Sequence, residues 1–143
     1  MVKKEKNKTR VGDVILIVAV AVALLIIFSP EYILPKKPAN IELASFSDLV
    51  NKNCVNVEII LTNTGEVNGR NIAAFVRCRD QNGTILFNNT IRLTSCLLRP
   101  DETCSGTYRI PFSNETKYIT HTIEIRWDTG MNAYRKKTTI RLR

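Results

Sequence analysis

The sequence predicts an all-β domain, an antiparallel sandwich of seven or eight short strands preceded by one N-terminal transmembrane helix. Three observations predict it. Apolar and polar residues alternate with period two through most of the chain after Ala39. Turn-forming residues interrupt that alternation at intervals of about 8–12 residues, the spacing of a sandwich. Fifteen uncharged apolar residues, Val14 to Phe28, follow a basic N-terminus. A closed barrel is the alternative for the β part.

The apolar run comes first. Lys3, Lys4, Lys6, Lys8 and Arg10 precede it, with Glu5 among them. Such a surface is costly in water and favourable in hydrocarbon, and a basic flank stays on the cytoplasmic side. The expected organisation is a cytoplasmic tip at 1–10, a membrane anchor at 11–34, a Pro/Lys linker at 35–39 and an extracytoplasmic domain at 40–143. Tyr32 suits the interfacial belt, and Pro30 and Pro35 punctuate the helix exit. Asp13, near the inner boundary, is a candidate for pairing with a neighbour's cation. A cleaved secretory signal competes with this reading, but no A-x-A pattern follows Phe28. The expected localisation is a single-pass membrane protein, with the bilayer and an extracytoplasmic protein as partners.

The strands follow in order. Ile41, Leu43 and Phe46 begin the first. Val55, Val57, Ile59 and Leu61 alternate with Asn56, Glu58 and Thr62 in the second, which ends at Asn63-Thr64-Gly65-Glu66. Ile72, Ala74 and Val76 mark a third, near Asn71 to Arg79. Asp80-Gln81-Asn82-Gly83 is a hairpin turn, because Asn and Gly tolerate positive φ. Thr84 to Phe87 and Asn89 to Cys96 read as two further strands. Arg99-Pro100-Asp101-Glu102 is a loop, and Ser105 to Phe112 the next strand. Ile119, His121, Ile123, Ile125 and Trp127 share one face of a long strand. After the turn Asp128 to Asn132, Ala133 to Leu142 closes the chain. The expected core draws on Val57, Ile59, Leu61, Val76, Ile123, Ile125 and Trp127.

Net charge is +8, and from Glu31 onward 16 Lys/Arg face 11 Asp/Glu. Scattered cations, with a cluster at Arg135-Lys136-Lys137, read as solvated faces and a protected edge strand, or as contact with anionic headgroups, acidic glycans or an acidic protein. Nucleic acid is not expected as a partner, because the domain would lie outside the cytoplasm. Four cysteines in an exported domain suggest disulfides, with Cys96 paired to Cys104 across a short loop and Cys54 to Cys78. Asn82, Asn88 and Asn114 each begin an N-x-T sequon and are candidate glycosylation sites. Asn7 also begins one, on the cytoplasmic side.

The run Val55 to Glu66, an alternating strand ending in Asn-x-Gly, resembles the second-strand signature of Ig-like adhesion modules of the CARDB type. Leu98-Arg99-Pro100-Asp101-Glu102-Thr103 is similar to the loop before a strand in those modules, and the final hairpin, Ile125 to Ile140, fits their closing pair. The resemblance spans roughly Ile41 to Leu142 and implies an Ig-like sandwich serving as a surface spacer or binding domain. The N-terminal Thr9-Arg10-Val11-Gly12-Asp13-Val14-Ile15 is similar in outline to archaeal pilin and archaellum N-termini, and the whole layout to small anchored stator proteins of the archaellum.

No catalytic constellation stands out. There is one histidine, His121, on an apolar strand face, and no G-x-S-x-G, C-x-x-C or phosphate-binding glycine loop. No cofactor, metal or small-molecule substrate is expected. The expected function is a non-enzymatic, membrane-anchored surface protein making structural or adhesive contacts. An accessory subunit of a membrane machine, such as a pilus, secretion or transport complex, is the alternative.

Overall fold

The computed structural model describes residues 11–28 and 34–141. The basic tip at 1–10, residues 29–33 with Pro30 and Tyr32, and the last two residues lie outside the described residues. The chain divides into two units, one ending at Lys36 and one beginning at Lys37.

The first unit contains helix α1, Val11–Phe28, of 18 residues with Asp13 in its first turn. A carboxylate there interacts favourably with the helix N-terminus. At 1.5 Å per residue α1 extends about 27 Å, against about 30 Å of bilayer hydrocarbon. Among the described residues no helix is long and apolar enough to cross a membrane. The expected span at 11–34 is corrected accordingly. With it go the single-pass localisation, the bilayer as partner, the membrane setting for Asp13 and the extracytoplasmic placement of 40–143.

The second unit is an all-β sandwich of seven strands in two antiparallel sheets. The strands are β1 (Ile41–Val50), β2 (Cys54–Asn63), β3 (Ala73–Arg79), β4 (Ile85–Ile91), β5 (Thr103–Pro111), β6 (Tyr118–Trp127) and β7 (Gly130–Thr139). One sheet has the order β1-β2-β5, the other β4-β3-β6-β7. Period-two alternation sends Val55, Val57, Ile59 and Leu61 inward from β2, Ala74, Val76 and Cys78 from β3, and Ile119, His121, Ile123 and Ile125 from β6. The core lies between these faces.

Local details depart from simple alternation for physical reasons. In β1 the register shifts between Leu43 and Ser45, so inward positions run Ile41, Leu43, Phe46 and Asp48. Asn88, which fell between the two strands expected from Thr84 to Phe87 and from Asn89 to Cys96, pairs with Arg77, and Asn89 with Val76, so one strand β4 runs through both. The following stretch forms no strand, but joins its neighbours by isolated bridges, Leu93 to Gly106 and Gly69 to Leu98, and by backbone hydrogen bonds of Thr94 with Ser105 and of Cys96 with Ile72. Trp127, expected in the core, is half-buried at its edge, and its indole Nε1 has no hydrogen-bond partner.

The Asn-x-Gly end of β2 is a structural hub. Asn63 is fully buried. Its Oδ1 accepts from the N–H groups of Asn40 (3.2 Å) and Gly65 (3.0 Å), and its Nδ2 donates to the carbonyls of Val67 (2.8 Å) and Leu98 (3.1 Å). Gly65 must be glycine, because a Cβ there would lie 2.1 Å from the Pro38 carbonyl oxygen. Asn63→Ala would strand several buried backbone groups. The expected loss is about 2–4 kcal/mol of unfolding free energy, measured by urea denaturation. A loss below about 0.5 kcal/mol, the range of neutral surface changes, would contradict this role.

The expected disulfides are also corrected, because all four cysteines are free thiols. They are spread through the fold. Cys54 opens β2 opposite Pro111, whereas Cys78 lies within the other sheet, between Phe87 and His121. Cys104 is buried on β5 against Leu61, and Cys96 is exposed in the loop before it.

Candidate functional site

Two constellations concentrate the polar chemistry of the sandwich. One is buried and centred on His121. Its Nδ1 lies 3.0 Å from Tyr108 Oη and 3.4 Å from Cys78 Sγ, and its Nε2 lies 2.8 Å from Thr138 Oγ1. Thr138 Oγ1 in turn donates to Asp48 Oδ2 at 2.5 Å. That last bond fixes the direction of the chain. Thr138 spends its proton on Asp48, so it accepts from Nε2–H. Nδ1 is then the acceptor for the Tyr108 hydroxyl or the Cys78 thiol. The imidazole is neutral with both nitrogens satisfied, and Phe46 packs edge-on against it at 5.1 Å.

Burial sets the ionisation of this group. It pushes His121 down to about 4, against the opposing charge of Asp48. It pushes the Cys78 thiol up to about 12. Burial, with the charges of Cys78 and Asp48, also raises Tyr108 above its ordinary value. A nucleophilic cysteine must be a thiolate and reachable. Cys78 is fully buried and stays a thiol at neutral pH. Despite its cysteine, histidine and acid, the chain is therefore arranged to hold β1, β3, β5, β6 and β7 together. The cysteine, tyrosine, threonine and aspartate partners are 13 to 90 residues from one another in the bonds that connect them, so spacing along the chain gave no sign of them.

The second constellation is the outer face of the β4-β3-β6-β7 sheet. Cross-strand pairing puts Arg77 of β3, Thr122 of β6 and Arg135 of β7 in one row, and Arg79, Thr120 and Lys137 in the next. Phe75 and Glu124 follow, and then Arg126. Five cations (Arg77, Arg79, Arg126, Arg135 and Lys137) thus share a face with one carboxylate, Glu124. Glu124 is taken by Arg126, the one ion pair among the described residues. Arg77 Nε donates to Asn88 Oδ1 at 3.3 Å. Two cations lie over aromatic rings: Arg126 stands 5.0 Å from the centre of Phe75, and Lys137 Nζ 3.8 Å from that of Tyr118. The face forms a trough of about 760 Å³ lined by Thr120 and Thr122, by the cations Arg77, Arg79 and Arg135, and by the carboxylates of Asp80 and Glu124.

The opposite outer face, on β1-β2-β5, differs in charge. Its outward positions include Glu42, Glu58 and Arg109 among Ser47, Leu49, Asn56, Thr103 and Thr107. It carries two carboxylates and one cation, so the basic character belongs to one side of the sandwich.

The three sequon asparagines are all exposed. Asn82 sits in the β3–β4 turn and Asn114 between β5 and β6, whereas Asn88 lies within β4 beside Arg77. The carboxylate of Asp80 accepts from the N–H groups of Asn82 and Thr84, and Gly83 takes a φ of 83°, so this segment is a self-satisfied turn. Among the described residues no three His, Cys, Asp or Glu side chains converge where a metal ion could sit.

No protein-family model and no curated protein sequence matches this chain. The CARDB-type Ig-like resemblance and the pilin and archaellum resemblances are therefore withdrawn. The inter-sheet disulfide packed on a buried Trp that marks antibody-type domains is also missing. Among solved structures, the sandwich is similar to a Bordetella pertussis protein assigned as ApaA, at 16% identity over 74% of this chain and 98% of that one, with a TM-score of 0.56. It is also matched by β-glucosidase 3B from Thermotoga neapolitana, at 14% identity over 70% of this chain and 16% of that one, with a TM-score of 0.40. The GAE domain of GGA2p from Saccharomyces cerevisiae aligns at 8% identity over 73% and 98%, with a TM-score of 0.39. The first likeness is one of fold alone, and the other two carry no functional argument.

Proposed function

We propose that the sandwich is a non-catalytic binding module and that the outer face of its four-stranded sheet takes an anionic macromolecule. The observation that supports this most directly is the segregation of charge. Four cations of that face have no carboxylate within ion-pairing distance among the described residues, while the opposite face is close to neutral. Unpaired cations raise one another's energy, and an anionic partner relieves that repulsion. The expected adhesive, membrane-anchored role is not part of this reading, since among the described residues no helix is long and apolar enough to cross a membrane.

The ligand is better read as an acidic protein segment than as nucleic acid. The exclusion of nucleic acid by location falls with the membrane span, but the geometry gives a separate reason. Single-stranded nucleic acid stacks its bases on open aromatic faces. Here Phe75 and Tyr118 already carry Arg126 and Lys137.

Poly-L-glutamate tests the proposal. Arg77→Gln with Arg135→Gln is expected to weaken its binding about tenfold or more, since each exposed pair contributes up to about 1 kcal/mol and several act together. The affinity should also fall steeply with salt. Arg109→Gln, on the other face, should leave binding unchanged. Equal losses from both faces, or none from Arg77 and Arg135, would refute the assignment.

A further inference from the structure

We infer that the trough takes an extended polypeptide carrying acidic residues at every second position; this rests on the binding-module reading above. The cations are arranged in rows across the sheet. Arg77 and Arg135 flank Thr122 in one row. In the next, Arg79 lies beside Thr120, and Lys137 beyond it leans over the Tyr118 ring. In each row a threonine hydroxyl on β6 lies between two cationic strands set about 9.5 Å apart, twice the strand spacing. A carboxylate seated over the threonine is reached by a cation from either side and by the hydroxyl as a donor.

The two rows are two residues apart along β6. The seats are therefore separated by about 6.7 Å, the repeat of same-face side chains in an extended chain. Side chains at i and i+2 of such a chain point the same way, and those at i and i+3 point to opposite faces. A segment lying along β6 with glutamate or aspartate at alternate positions puts successive carboxylates over Thr122 and Thr120. Its intervening residues face solvent. Glu124, held by Arg126, and Asp80, whose carboxylate accepts from the Asn82 and Thr84 N–H groups, line the trough with negative charge and limit the number of seats.

The test uses the full chain and two fluorescein-labelled dodecapeptides of equal charge, each with four glutamates among serines. One has glutamate at every second position, the other at every third. Anisotropy titration is expected to show the alternating peptide binding about fivefold to tenfold tighter. Thr120→Val with Thr122→Val should erase that preference while leaving much of the poly-L-glutamate affinity. Equal affinity of the two peptides for the unaltered chain would overturn the spacing inference and leave the binding-module reading standing. Tighter binding of a heparin tetrasaccharide or of a twelve-residue oligothymidylate than of the alternating peptide would overturn the choice of a polypeptide. Failure of every polyanion, poly-L-glutamate included, would overturn both.

Discussion

Substituting His121 by alanine is expected to lower the unfolding free energy by about 3–5 kcal/mol. Two costs add. The ring is fully buried between the sheets against Phe46 and Tyr108, so its removal leaves a cavity. It also removes the partner shared by Tyr108, Cys78 and Thr138, all buried, and a stranded buried hydroxyl costs about 1–3 kcal/mol. Urea denaturation reads the effect as a lower midpoint at unchanged slope. A change below about 1 kcal/mol, smaller than the cost of one stranded hydroxyl, would show that the chain of hydrogen bonds does not hold the sheets together.

Acidification is expected to destabilise the fold through the same residue. His121 titrates at about 4 when folded and near the ordinary 6.5 when unfolded. The contribution of the neutral ring is fully present above pH 6.5. As pH falls from there towards 4, the unfolded chain takes up a proton that the folded chain refuses. Stability drops by about 1.4 kcal/mol per pH unit. The total is about 3 kcal/mol across the window, and the loss levels off below it. His121→Gln keeps a donor and an acceptor but does not titrate. The difference between wild type and this variant, followed by denaturation from pH 7.5 to pH 4, isolates the histidine from the carboxylates. Parallel curves would contradict the burial of a neutral imidazole.

Much of the sandwich was legible because its cause is local. Val55 to Leu61 and Ile119 to Ile125 alternate in the sequence as they alternate in burial, since a half-buried strand requires it. What misled the reading was also local. Asn88 was left between two expected strands, yet β3 supplies it and Asn89 with partners. An even number of cysteines suggested bridges, yet all four are free thiols, and Cys78 is engaged with His121. Most of the basic trough was not legible as a site. Arg77 and Arg79 are more than fifty residues from Arg135 and Lys137, and only the pairing of β3 and β7 with β6 brings them to one face. Arg135-Lys136-Lys137 read as a protected cationic edge or as a contact for an anionic partner. Its alternate members face opposite ways: Arg135 lines the trough and Lys137 shares its face, while Lys136 pairs across from His121.

The measurement closest to the centre of this account is an amide chemical-shift map of the full chain titrated with the alternating acidic peptide. The account predicts perturbations concentrated at Arg77, Arg79, Thr120, Thr122 and Arg135, with Asn56, Glu58 and Arg109 of the other sheet unmoved. Shifts that spread evenly over both faces, or gather on the β1-β2-β5 side, would contradict it.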